Sequence, residues 1–208
     1  MLIRTSKETT AVKFNAAAAA LPKPEPGELT RMVRWGNAEF VEKTLQRGAD
    51  INETDVGFSM LTLAAVYGHT EAVRLLIAYG ADVNKKDEME STALIRAASH
   101  GNPETVRLLL DLGAEINATN HNGWTALMSA AFHDNTEVVQ LLIDNGADIS
   151  VSDFPGRKTA LSLAKERSSP DGGTIRLLAT SAARAVTAGK QQRLNHAKKA
   201  WGGLTVRK

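Results

Sequence analysis

Five histidines, at positions 69, 100, 121, 133 and 196, are the side chains of this 208-residue chain best suited to proton transfer or metal binding near neutral pH. Two of them are regularly placed. His100 and His133 stand 33 residues apart and occupy one position in adjacent copies of a repeated unit, so their imidazoles are expected to stack on one face, where they could hold a metal or carry protons. A catalytic centre needs more than this pair. Asp134 neighbours His133, but no carboxylate recurs at a fixed ligand spacing in more than one unit. The chain has no cysteine, which removes a thiol nucleophile, a thiolate metal site and a disulfide framework. Gly-x-Ser-x-Gly, His-Glu-x-x-His and phosphate-loop patterns do not occur. The expected chemistry is recognition, with no catalytic residue, metal, cofactor or small-molecule substrate.

The elements that position these residues are written several times over. Gly48-Ala-Asp-Ile-Asn, Gly80-Ala-Asp-Val-Asn, Gly113-Ala-Glu-Ile-Asn and Gly146-Ala-Asp-Ile-Ser repeat at spacings of 32, 33 and 33 residues, a period that means a stack of like units. Within Pro103–Asn117, Val106, Leu109 and Leu110 fall on one face of a helix, with Glu104, Arg107 and Asp111 off it. Asn102 reads as the N-cap, Pro103 suits the first helical position, and Gly113 closes the helix in the left-handed conformation. A shorter helix precedes each of these, opened by Ser59, Thr92, Thr125 or Thr159. It carries the pairs Ala64-Ala65, Ala97-Ala98 and Ala130-Ala131, which let neighbouring helices approach closely.

Gly123-Trp-Thr-Ala-Leu127, followed by Ala130-Ala131, Val138-Val139, Leu141-Leu142 and Gly146-Ala-Asp148, resembles an ankyrin repeat. The resemblance covers about residues 27 to 181. It implies an all-α fold: an ankyrin repeat solenoid of about five helix-turn-helix units joined by β-hairpin loops, its short helices facing a concave side. The units are 27–52, 53–84, 85–117, 118–150 and 151–181. Where the family opens its short helix Thr-Pro-Leu-His, this chain has Met60, Ala93, Ala126 and Ala160 at the Pro position and Thr62, Ile95, Met128 and Ser162 at the His position. The inter-repeat hydrogen bonds of that histidine are therefore not expected here. His69 falls where the family places a histidine in the interhelical turn, and reads as a structural cap. The second unit is one residue short around Asp55-Val56-Gly57, which should tighten its hairpin. The fifth unit reads as the C-terminal cap.

Outside the repeats lie two tails. Residues 1–26 hold the run Ala16–Ala20 and then three alternating prolines that favour an extended linker. Residues 182–208 carry seven Lys and Arg and no acid, whereas 27–181 carry fourteen against twenty-one, a net −7. A basic tail of this kind, with Arg184, Lys190, Arg193, Lys198 and Lys199, suits nucleic acid or an anionic membrane, or else folds back on the acidic body. Its pattern is compatible with a helix interrupted at Gly189 and at Gly202-Gly203. No apolar run reaches the length of a membrane span and the N-terminus lacks a secretory core, so a cytoplasmic location is expected.

The candidate binding residues are mainly aromatic. Trp35, Phe58, Tyr67, Trp124, Phe132 and Phe154 align with hairpin-tip or short-helix positions that face solvent in ankyrin folds, and a core of Ala, Leu and Val does not need them. Tyr67, His100 and His133 share one aligned position, Phe132 lies beside them and Trp124 projects from the hairpin above. Trp35, Phe58, Tyr67, His100, Trp124, Phe132 and His133 are thus the expected contacts for a protein partner, held by hairpin tips and the concave short-helix face.

Overall fold

The computed structural model describes residues 22–154, 156–167 and 172–201. Five helix pairs follow one another: α1 (Glu28–Trp35) with α2 (Ala38–Gln46), α3 (Met60–Tyr67) with α4 (Thr70–Ala78), α5 (Ala93–Ser99) with α6 (Pro103–Asp111), α7 (Ala126–Phe132) with α8 (Thr136–Asp144), and α9 (Ala160–Arg167) with α10 (Gly173–Trp201). The expected N-caps are in place. Ser59, Thr92 and Thr125 accept from the amides of Thr62, Ile95 and Met128, each three residues on, and Thr159 from that of Ser162. Val106 and Leu109 are buried as their spacing requires, whereas Leu110 is half-buried and Leu108 is covered as well.

The hairpin of the second repeat is the tight one. Strands β1 (Thr54–Asp55) and β2 (Phe58–Ser59) pair antiparallel across Val56 and Gly57, both at positive φ, 47° and 83°. Two such residues in a two-residue turn match the right-handed twist of the strands, and the missing residue is what brings those strands together. A β-branched valine is a poor occupant of the first position.

Burial is deepest along the short helices. The alanine pairs 64-65, 97-98 and 130-131 are fully buried, and the short helices pack on one another more intimately than the second helices do.

Polar contacts between repeats replace those of the absent family histidine. Asn102 does not cap its own helix; its Nδ2 donates to the carbonyls of Ala65 (2.9 Å) and Val66 (3.1 Å) in the preceding repeat. Asn135 does the same to Ala98 (2.9 Å) and Ser99 (3.1 Å). His69, expected as a cap, makes no capping bond and donates from Nε2 to the Arg34 carbonyl at 3.0 Å. Each of these side chains lies over a glycine of its neighbour: a Cβ at Gly36, Gly68 or Gly101 would stand within 2.8 Å of His69, Asn102 or Asn135. The hairpin asparagines are structural too. Asn84 and Asn117 accept from the amides of Glu115 and Asp148, both at 2.9 Å, one repeat further on.

The two ends differ from the middle. At the start, Arg47 binds Glu28 (2.6 Å) and the carbonyls of Pro22 (2.9 Å) and Lys23 (3.3 Å), which fastens the proline segment to the first repeat. The Glu25 backbone amide, then Arg47, hold the Glu28 carboxyl below its usual range against an opposing push from burial. At the other end, α10 runs unbroken through Gly189, so that glycine does not interrupt the helix as expected. Thr174 and Leu178 are buried and Ala183 to Thr187 are exposed. Ala16–Ala20, Ser168–Asp171 and Gly202-Gly203 lie outside the described residues.

Three measurements test this account. Asn135→Ala should cost about 1–3 kcal/mol in thermal or urea unfolding, because two partly buried carbonyls lose their donor. Val56→Asn should raise the melting temperature, since asparagine tolerates positive φ. A lowered folded-state pKa stabilises above the unfolded value and is lost as pH falls through the folded one. Glu28→Gln should therefore lower the melting temperature at pH 7, and the difference should shrink as pH falls through the folded-state pKa.

Candidate functional site

The last position of each short helix, or the residue just after it, forms one row: Trp35, Tyr67, His100, His133 and Arg167. All five are exposed, Trp35 at 71% and Tyr67 at 49%. The cause is local. Ala64, Ala97, Ala130 and Ala164, three residues earlier, are fully buried within the stack, whereas the row sits where each short helix ends and the chain turns back toward the second helix.

The two histidines are held alike. Nδ1 of His100 lies 3.0 Å from the Arg96 carbonyl, and Nδ1 of His133 lies 3.0 Å from that of Ser129. A carbonyl only accepts, so both rings carry their proton on Nδ1 and present Nε2 outward as an acceptor when neutral. Ser99 Oγ is 3.5 Å from His133 Nδ1 and links the two repeats. Among the described residues no group of three or more His, Asp or Glu is arranged to hold a metal ion.

The expected ring surface divides in two. Trp35, Tyr67 and Phe154 are exposed, whereas Phe58, Trp124 and Phe132, expected to face solvent, are half-buried against the core. Each has a cover. Trp124 and Phe132 meet at 5.0 Å between ring centres, His133 stands edge-on to Phe132 at 5.2 Å, and the Arg167 guanidinium lies 4.8 Å from the centre of the Phe132 ring. Arg96 lies 4.7 Å from the centre of the Phe58 ring. Tyr67 stacks on His69 at 5.8 Å between ring centres and is still half exposed.

Arg96 also forms the most buried ion pair of the described residues. Asp87, whose side chain is wholly enclosed, accepts from Arg96 at 2.7 Å and from the amides of Met89 and Ser91, both at 2.9 Å. That set fixes the third hairpin and the position of Phe58. Arg34, by contrast, pairs with Asp55 at the surface, and Lys158 with Glu166 at 2.9 Å.

Two hairpin residues were missed by reasoning from aromatics. Val56, 84% exposed, and Met89 sit at the tips of the second and third hairpins, and Phe154 occupies the fifth. Together they extend the exposed apolar surface along the tips. The signal available in the sequence was their position between the hairpin strands, where no core demands an apolar residue.

A family model described as ankyrin repeats (3 copies) matches residues 29–120, 90–153 and 113–187. The chain belongs to the ankyrin repeat family. Ankyrin repeats are generally protein–protein interaction modules, and comparison with curated proteins returns no match. No helix among the described residues is long and apolar enough to cross a membrane.

Removing one partner of an enclosed ion pair leaves an uncompensated charge, whereas a surface pair contributes little. Arg96→Met should thus destabilise the ankyrin repeats by about 3 kcal/mol. Arg34→Met should leave the same unfolding measurement nearly unchanged.

Proposed function

We propose that residues 27–181 form a noncatalytic protein-binding module that holds a protein partner between its hairpin tips and its concave short-helix face. The observation that carries this reading is the exposed row of Trp35, Tyr67, His100 and His133 on a rigid stack whose core does not use them. A preformed surface spends little ordering entropy on binding. Exposed rings that lose water at the contact are the residue type that carries binding energy. Outward Nε2 atoms add acceptors beside the rings, and Val56, Met89 and Phe154 add apolar contacts at the tips. Trp124 and Phe132 form the edge of the site, and their mutual packing gives them a second role in stability.

A second reading assigns α10 to nucleic acid or an anionic membrane. Its support is the length of that helix, Gly173–Trp201, whose sequence from 182 on includes Arg184, Lys190, Arg193, Lys198 and Lys199 and no acid. Phosphate contacts weaken steeply with salt and an apolar groove does not, so salt dependence separates the two.

Affinity capture from the native cell extract, followed by titration of the captured partner, tests the module. Trp35→Ala and Tyr67→Ala should each weaken binding by about thirtyfold or more, the scale of a binding hot spot, while the melting temperature stays within about a degree. Parental affinity in both variants would sink the concave site. Phe132→Ala should lower affinity and melting temperature together.

A further inference from the structure

Among the described residues, no further helix pair covers the outer stacking face of the first repeat. In two of the later second helices a threonine in the first turn meets the first residue of the second helix before it: Thr105 Oγ1 lies 2.8 Å from Thr70 Oγ1, and Thr174 Oγ1 lies 2.7 Å from Thr136 Oγ1. The residues at this aligned position are Ala72, Thr105, Val138 and Thr174, all at 1% exposure or less. In the first repeat the same position is Phe40, and it is 49% exposed. The short helices repeat the contrast. Met32 is partly buried where Ala64, Ala97, Ala130 and Ala164 are fully enclosed. A phenylalanine and a methionine thus stand where the stack would place its preceding unit, with Lys43 Nζ 5.4 Å from the Phe40 ring centre as a partial screen.

The chain leading to the first repeat is fastened to it through Arg47, in the turn after the helix that carries Phe40. Arg47 ties the carbonyls of Pro22 and Lys23 to the first repeat, so residues 1–21 start from a point already fastened there. That length is ample. Twenty-one residues reach about 32 Å even as a helix, several times the width of one repeat. Their last third is Phe14-Asn15 followed by five alanines and Leu21, an apolar stretch whose small side chains permit close approach to a ring. A second copy of the chain is the competing occupant, but it would have to find a face that the tethered segment meets at high effective concentration.

We propose that residues 14–21 of the same chain close the open end of the stack, with Ala16–Ala20 lying against Phe40 and Met32. The segment then does for the first repeat what each repeat does for the next.

The test is a double-mutant cycle in the full-length protein, read by thermal unfolding and by hydrogen exchange. Ala18→Asp and Phe40→Ala should each lower the melting temperature by about 3 °C or more, and the double variant should fall no further than the worse single one. The amides of Ala17 to Leu21 should be protected in the parent and lose protection in Phe40→Ala. Additive effects, or a neutral Ala18→Asp, would overturn the proposal. A concentration-dependent dimer in sedimentation that Phe40→Ala dissociates would also overturn it, in favour of a second copy.

Discussion

Every part of this fold depends on one contact: an inner helix laid on the inner helix of the next repeat at a distance only alanine permits. Ala64-Ala65, Ala97-Ala98 and Ala130-Ala131 bury their methyl groups completely, and no single repeat could bury them alone. The same closeness forces the rest of the interface. Gly36, Gly68 and Gly101, at positive φ, let His69, Asn102 and Asn135 lie flat across the preceding turn and reach its carbonyl oxygens. A side chain on those glycines would push the repeats apart, so the glycine and the polar bridge form one device. Stability here is a sum over such neighbours, and it is weakest where a neighbour is missing.

Much of the fold was legible because repetition multiplies a weak signal. The period, the hydroxyl caps and the tight hairpin at Val56-Gly57 follow from spacing and backbone chemistry, both of which are local. The polar bridges were not legible. Asn102 is a good N-cap by type, but whether its amide turns to its own helix or to the previous repeat depends on a distance of thirty-seven residues in sequence. Gly189 misled for a related reason: a glycine weakens a helix by about 1 kcal/mol, which twenty-eight other residues of α10 outweigh.

The candidate site was legible in its row and not in its rings. Alignment of the copies placed Tyr67, His100 and His133 correctly, since position within a repeat decides which way a residue looks. Burial of Phe58, Trp124 and Phe132 could not be read that way. It depends on Arg96 and Arg167 bending over the rings, each from the repeat that follows, and on Trp124 and Phe132 finding each other. A flexible arginine chooses its partner from everything within reach, and sequence spacing does not rank those choices.

The repeats also provide an internal control on what the surface is for. One position of the inner helix reads Ala64, Ala97, Ala130 and Ala164, constant because the stack constrains it; three residues later the chain reads Tyr67, His100, His133 and Arg167. Those four copies share one backbone environment, so packing cannot account for the difference between them. A position released from the stack and merely solvated would be filled at little cost by short polar residues, yet Trp35 and Tyr67 hold large rings in water. The exposed part of such a ring gains nothing from folding. On the proposed function its gain comes from a contact made after folding, and a row that changes chemistry from indole to phenol to imidazole to guanidinium would distinguish one end of a bound partner from the other.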